Sequence, residues 1–109
     1  MIQWIEIGQL EDIPRLGARV VATDWGNIAV FRTSDDEIHA LDDRCPHRGG
    51  PLSPGIIHGN RVTCPLHNWQ IDLTDGQVIA PDEGCTHHYP VKVIETGKIL
   101  LGMPAAVAV

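Results

Sequence analysis

Two short segments of this 109-residue chain carry side chains able to hold a metal. The first is Cys45-Pro46-His47 and the second is Cys64-Pro65-Leu66-His67. Sixteen residues lie between His47 and Cys64. Each segment offers one thiolate and one imidazole. Two Cys and two His satisfy tetrahedral zinc. They also satisfy a [2Fe–2S] cluster in which two His replace two Cys on one iron. Zinc spacings usually pair like with like, Cys near Cys and His near His. Here each segment mixes the types, which suits a binuclear cluster because each loop then reaches both irons. Cys45 and Cys64 would hold one iron, and His47 and His67 the other. Pro46 and Pro65 hold the preceding Cys in extended backbone. Gly49 and Gly50 follow the first segment, where their N–H groups could donate to cluster sulfur.

The elements that must position these loops are short. Gly (11) and Pro (8) punctuate the whole length. Between them lie β-branched or alternating runs at 2–7, 19–23, 28–32, 37–41, 61–64, 69–73, 77–79, 89–94 and 98–101. Turn residues separate them, including Asp24-Trp25-Gly26-Asn27, Thr74-Asp75-Gly76 and Glu95-Thr96-Gly97. About nine short strands at even spacing predict an antiparallel all-β sandwich or barrel. No window of 11 or more residues has a helical period. One helical turn is expected within 9–16, limited by Pro14. The longest stretch without a strand, 42–55, holds the first Cys/His segment, and long loops in small domains are usually functional.

Composition narrows the function. The sum of 8 Lys+Arg and 14 Asp+Glu is −6, which argues against nucleic acid or an anionic membrane as partner. Three Cys are too few for a disulfide scaffold. Glu6 interrupts the first apolar stretch and no basic segment precedes it, so no signal peptide is expected. No apolar run reaches the roughly 18–20 residues that span a bilayer. The expected location is the cytoplasm. There is no dinucleotide-binding glycine fingerprint, no P-loop and no haem-attachment motif. The chain leaves no room for a substrate pocket, so it is expected to move electrons between other proteins.

Cys45-Pro46-His47-Arg48-Gly49-Gly50-Pro51-Leu52 and Cys64-Pro65-Leu66-His67 resemble the two cluster-binding boxes of Rieske iron–sulfur proteins. The similarity runs on through Thr74-Asp75-Gly76 to a closing Tyr89-Pro90-Val91. It implies a Rieske-type antiparallel β-sandwich/barrel with a two-loop cluster-binding subdomain and one [2Fe–2S] cluster. The cluster would lie near the tip, held by Cys45, His47, Cys64 and His67. The implied domain covers 1–103, with loops at about 42–69 and a tail at 104–109. High-potential members carry two further Cys, paired as a disulfide, at the positions of Gly50 and Leu66. They also carry a Ser and a Tyr near Asn68 and Trp69 that donate to cluster sulfur. Their absence predicts a midpoint near the bottom of the roughly −150 to +300 mV Rieske range.

Pro81-Asp82-Glu83-Gly84-Cys85-Thr86 and Cys64-Pro65-Leu66-His67-Asn68-Trp69 resemble the small subunit of assimilatory NAD(P)H nitrite reductase. That resemblance implies a large partner subunit with flavin, an iron–sulfur cluster and sirohaem, reducing nitrite to ammonia in nitrate assimilation. The small subunit would transfer electrons without being catalytic alone. The alternative is a stand-alone Rieske ferredoxin for an aromatic-ring dioxygenase or related oxygenase. Cys85 is expected to be a spare, partly buried thiol. His39, His58, His87 and His88 are expected to be structural or solvated. Asp35-Asp36-Glu37 is expected to be a solvated turn. Asp42-Asp43 are expected to be solvated or to dock a basic partner.

Overall fold

The computed structural model describes residues 2–24, 26–46, 49–66, 68–80 and 82–104, with only the backbone of Pro104. Ten strands form in chain order: β1 (Ile2–Gln9), β2 (Ala18–Thr23), β3 (Gly26–Arg32), β4 (Ile38–Asp42), β5 (Ile56–His58), β6 (Arg61–Thr63), β7 (Gln70–Asp72), β8 (His88–Tyr89), β9 (Val91–Val93) and β10 (Lys98–Pro104). They make three antiparallel sheets of order β1-β10-β9, β2-β3-β4-β8 and β5-β6-β7. The expected helical turn is a 3₁₀ turn at Leu10–Asp12. The expected all-β architecture is thus observed.

The four-stranded sheet lies between two cores. Ile28, Ala29, Val30 and Phe31 of β3 are all fully buried, although strand geometry sends neighbours to opposite faces. Ile28 and Val30 join Ala40 and Tyr89 in a core with Ile99, Leu101 and Met103 of β10. Ala29 and Phe31 join Leu41 in the other core, with Ile57, Val62, Ile71, Cys45 and Cys64. Each such buried side chain contributes about 1.5–3 kcal/mol. The three-stranded sheet β5-β6-β7 therefore docks on β3 and β4 through the core that also holds both box cysteines.

The observed strands differ from the expected ones in three places. The run 89–94 is not one strand. Pro90 offers no N–H, and the chain changes sheet there, with β8 pairing β4 and β9 pairing β10. Residues 77–79 make only isolated bridges, Ile71 to Val78 and Gln77 to Cys85. Strand β5 was not expected from the sequence. Only Ile57 of its three residues is buried, so its local pattern is weak.

Candidate metal centre

The two boxes are built alike. Each cysteine leaves a strand and is paired across a four-residue loop with the residue five positions on. Cys45 N–H donates to Gly50 O at 2.7 Å, and Cys64 N–H donates to Trp69 O at 2.7 Å. The loops close with a second bond: Gly49 N–H to Cys45 O at 2.8 Å, and Asn68 N–H to Cys64 O at 3.0 Å. The closing residue must then be left-handed. Gly49 has φ +73 and Asn68 has φ +60. Glycine has no Cβ to clash there, and Asn tolerates that region better than most residues. The spacing of Gly49 and Asn68, four residues after each Cys, carried this signal and was not read from the sequence. One expectation needs correction: Gly49 spends its N–H on Cys45 and does not offer it to cluster sulfur.

The boxes are carried by different sheets. The first follows β4 of the four-stranded sheet; the second joins β6 to β7. They meet across the sheet boundary. Cys45 is 2% exposed and Cys64 is fully buried, and both pack in one core. A Cβ added at Gly50 would collide with Leu66 Cδ1 and lie 3.3 Å from Leu66 Cγ. The loops therefore touch at the pair of positions where high-potential relatives place their extra cysteines. All three cysteines are thiols rather than disulfides.

Local anchors hold the first box. Asp43 Oδ1 accepts the N–H of Leu52 at 2.8 Å and of Ser53 at 2.7 Å, while Oδ2 accepts the Ser53 hydroxyl at 3.0 Å. Asp42 Oδ1 accepts the Tyr89 hydroxyl at 2.6 Å. Burial, then the Asp42 carboxylate, hold the Tyr89 pKa above its ordinary value, so the phenol keeps its proton. Asp43 thus supports the loop and Asp42 ties β4 to Tyr89, structural roles beside the solvated or docking ones expected of them. Similarly, Asp36 is no plain turn residue. It bonds Arg15 at 2.9 Å and Arg32 at 2.9 Å, and these guanidinium groups pull its carboxyl down to about 2.

A third loop covers the first box. Val78 N–H donates to Gly84 O, Thr86 N–H to Gly76 O, and Asp42 N–H to His87 O. Gly84 lies against Pro46. Between this loop and the box is an open cleft of about 400 Å³ lined by Asp42, Arg44, Cys45, Pro46, Gly49, Cys85, Thr86 and His87. Cys85 is exposed there rather than partly buried. Among the other candidates, His58 bonds Thr63 Oγ1 at 2.8 Å and His87 packs edge-on to Tyr89. Trp69 packs on the core beside the boxes, and Lys92 sits over the Trp4 ring at 4.2 Å. His47, His67, Trp25 and residues 105–109 lie outside the described residues.

A family model for the Rieske [2Fe-2S] domain matches residues 3–99. The chain belongs to the Rieske family. It is 33% identical over 101 residues to the ferredoxin component of the naphthalene 1,2-dioxygenase/salicylate 5-hydroxylase systems of Ralstonia sp., covering 92% of this chain and 95% of that protein. It is also 49% identical over 49 residues to the 4beta-methylsterol monooxygenase of Methylococcus capsulatus, but that stretch spans 44% of this chain and only 13% of that protein. Its fold matches a structure assigned as an NADH-dependent nitrite reductase small subunit from Mycobacterium tuberculosis, with TM-score 0.87 at 23% identity over 97% of this chain and 99% of that one.

As a Rieske protein, the chain carries one [2Fe–2S] cluster and is an electron-transfer domain. The residues present fit that cluster. Two buried thiols share one core, presented by matched loops with a glycine-lined approach. Among the described residues no helix is long and apolar enough to cross a membrane.

Proposed function

We propose that this Rieske protein is the electron-transferring small subunit of an assimilatory NAD(P)H nitrite reductase. Cys45 and Cys64 hold one iron, and His47 and His67 hold the other. The cluster supplies one-electron redox chemistry. The chain's own residues position it and shield it. Asp43 holds the first loop, Gly49 and Asn68 close the two loops, and the third loop packs on the first through Gly84 and Pro46.

The observation that carries the reductase assignment is the third loop. The segment Asp82-Glu83-Gly84-Cys85-Thr86, which resembles that small subunit, packs on the first cluster box through Gly84 and Pro46. The near-complete mutual coverage with the M. tuberculosis fold agrees with it. A second reading, a ferredoxin serving an aromatic-ring dioxygenase, is favoured by the 33% identity to the Ralstonia ferredoxin component over nearly its full length.

Reconstitution separates the two. The cluster-loaded protein is added to a flavin- and sirohaem-containing large subunit, and NAD(P)H-dependent ammonia formation from nitrite is followed. A rise over the large subunit alone supports the reductase. No rise there, with restored turnover of a naphthalene-type oxygenase, selects the ferredoxin.

A further inference from the structure

The sheet β1-β10-β9 buries one face and shows the other to solvent. Ile99, Leu101 and Met103 of β10 are buried, and Ile7 and Val91 pack with them. Alternate residues of β10 point the opposite way. On that outer face Gly102 stands opposite Trp4, and Leu100 stands between Glu6 and Lys92. Backbone bonds bring Pro90 to Gly102 and Ile94 to Lys98 on the same face. Gly102 makes the face flat. A Cβ there would lie 2.7 Å from Pro90 Cγ, 2.9 Å from Ile2 Cγ2 and 3.1 Å from Trp4 Cζ3. These three side chains close over the glycine as one apolar surface, with Ile2 still 50% exposed. Lys92 lies over the Trp4 ring at 4.2 Å and makes no ion pair among the described residues. Lys98 stands 3.7 Å from Glu6. Strands β1, β9 and β10 hold both lysines of the chain and one Glu, a sum of +1, so the rest of a chain of net −6 carries −7.

We propose that this outer face is a standing docking surface for the large reductase subunit, which meets it with an apolar centre and a carboxylate opposite Lys92. The inference rests on the reductase reading above. Three strands about 4.8 Å apart and about 20 Å long present roughly 300 Å². A stable interface takes about 800 Å² from each partner. Two copies of this chain set face to face would therefore bury too little, and would set +1 against +1. A larger partner reaches past the rims of the face, and its carboxylates complement the lysines. A Trp at the centre with a charge beside it suits an interface anchor. The core that holds Cys45 and Cys64 lies on the other side of the four-stranded sheet. Docking on the outer face therefore does not occlude the cluster boxes.

The test is binding of the cluster-loaded chain to an immobilised flavin- and sirohaem-containing large subunit, read by biolayer interferometry. Affinity should fall at least tenfold in Lys92→Glu and in Trp4→Ala, and less than threefold in Lys92→Arg. It should also fall as sodium chloride rises. Midpoint and visible circular dichroism should not change in any variant, because none touches the boxes. Lys92 is exposed, so Lys92→Glu stays informative if Trp4→Ala folds poorly. Undiminished binding in Lys92→Glu would overturn the face and leave the reductase reading standing. A large subunit that fails to bind the wild type would overturn both. Sedimentation of the chain alone should show a monomer; a dimer that Lys92→Glu dissociates would assign the face to a second copy and overturn the proposal. Removing residues 105–109 should leave the affinity unchanged; a tenfold gain would assign the face to that tail, with the same consequence.

Discussion

The contact between Gly50 and Leu66 can be converted into a covalent test of how the boxes meet. A Cβ at position 50 would lie 3.3 Å from Leu66 Cγ and against Leu66 Cδ1. Leu66 Cγ marks where a cysteine Sγ would stand, and a disulfide places each Cβ about 3 Å from its partner's Sγ. The Leu66 side chain is 57% exposed, so removing it costs little packing. The double variant Gly50→Cys/Leu66→Cys should therefore oxidise to a disulfide without moving either loop. The bond closes a loop of about 16 residues, and the chain-entropy relation gives about 3 kcal/mol for that length. For a domain this size, 1 kcal/mol shifts the melting temperature by about 4–8 °C, so the expected gain is about 12–24 °C. The assay is thermal unfolding of the cluster-loaded double variant before and after mild oxidation, with both single variants as controls. Intact mass spectrometry should show the loss of two hydrogens only in the double variant. Thiols that resist oxidation, or a bond that forms and lowers the melting temperature, would refute the adjacency of the loops.

Four further outcomes follow from named contacts. Asp43→Asn keeps the size but loses a charged acceptor of three hydrogen bonds; it should destabilise the protein by about 2–3 kcal/mol, seen as faster bleaching of visible absorbance in denaturant. Asn68→Gly should be tolerated, while Asn68→Val should cost about 1–2 kcal/mol because φ there is +60; comparative urea melts measure both. His39 buries Nε2 without a partner among the described residues, and burial holds its pKa below 6.5 against the opposing pull of Glu37 and Asp72. The unfolded chain then takes up the proton first, so stability is full above about pH 6.5 and falls as pH drops toward the lower folded-state value. His39→Leu should flatten that slope in melts taken between pH 8 and 5. Replacing the proposed ligand His67 by Cys adds negative charge and should lower the midpoint; an unchanged redox titration would remove His67 from the ligand set.

Much of the fold was legible because local chemistry agrees with global structure. The turn at Asp24 between β2 and β3, and Gly97 at φ +84 before β10, sit where turn residues had placed them. The chemistry was legible because only certain residue types bind iron. What was not legible depends on distant partners. Strand β5 exists because β6 pairs with it, not because Ile56 and His58 want burial. Pro90 could be read as a break, but not as the crossing between two sheets. The tasks of Asp42 and Asp43 could not be read at all, since Tyr89 lies 47 residues from one and Ser53 lies 10 from the other.

The two boxes share a backbone design yet differ in how they are held, and that difference bears on how the centre would fail. The second box extends the β6–β7 hairpin: Thr63 pairs with Gln70, and Cys64 with Trp69 simply continues the ladder. Its geometry is as stable as that hairpin and the core around Val62 and Ile71. The first box continues no hairpin. It follows β4, and beyond the Cys45 bonds to Gly49 and Gly50 its return to Ser53, ten residues past Asp43, is held by the Asp43 carboxylate. The third loop then leans on it through Gly84. A fault at Asp43 thus frees the Cys45 loop while β3, β4 and their two cores stay intact. Local opening of that kind costs less than global unfolding. Cluster loss should therefore begin at the first box, and Asp43→Asn should speed bleaching at denaturant concentrations where the sheets remain folded.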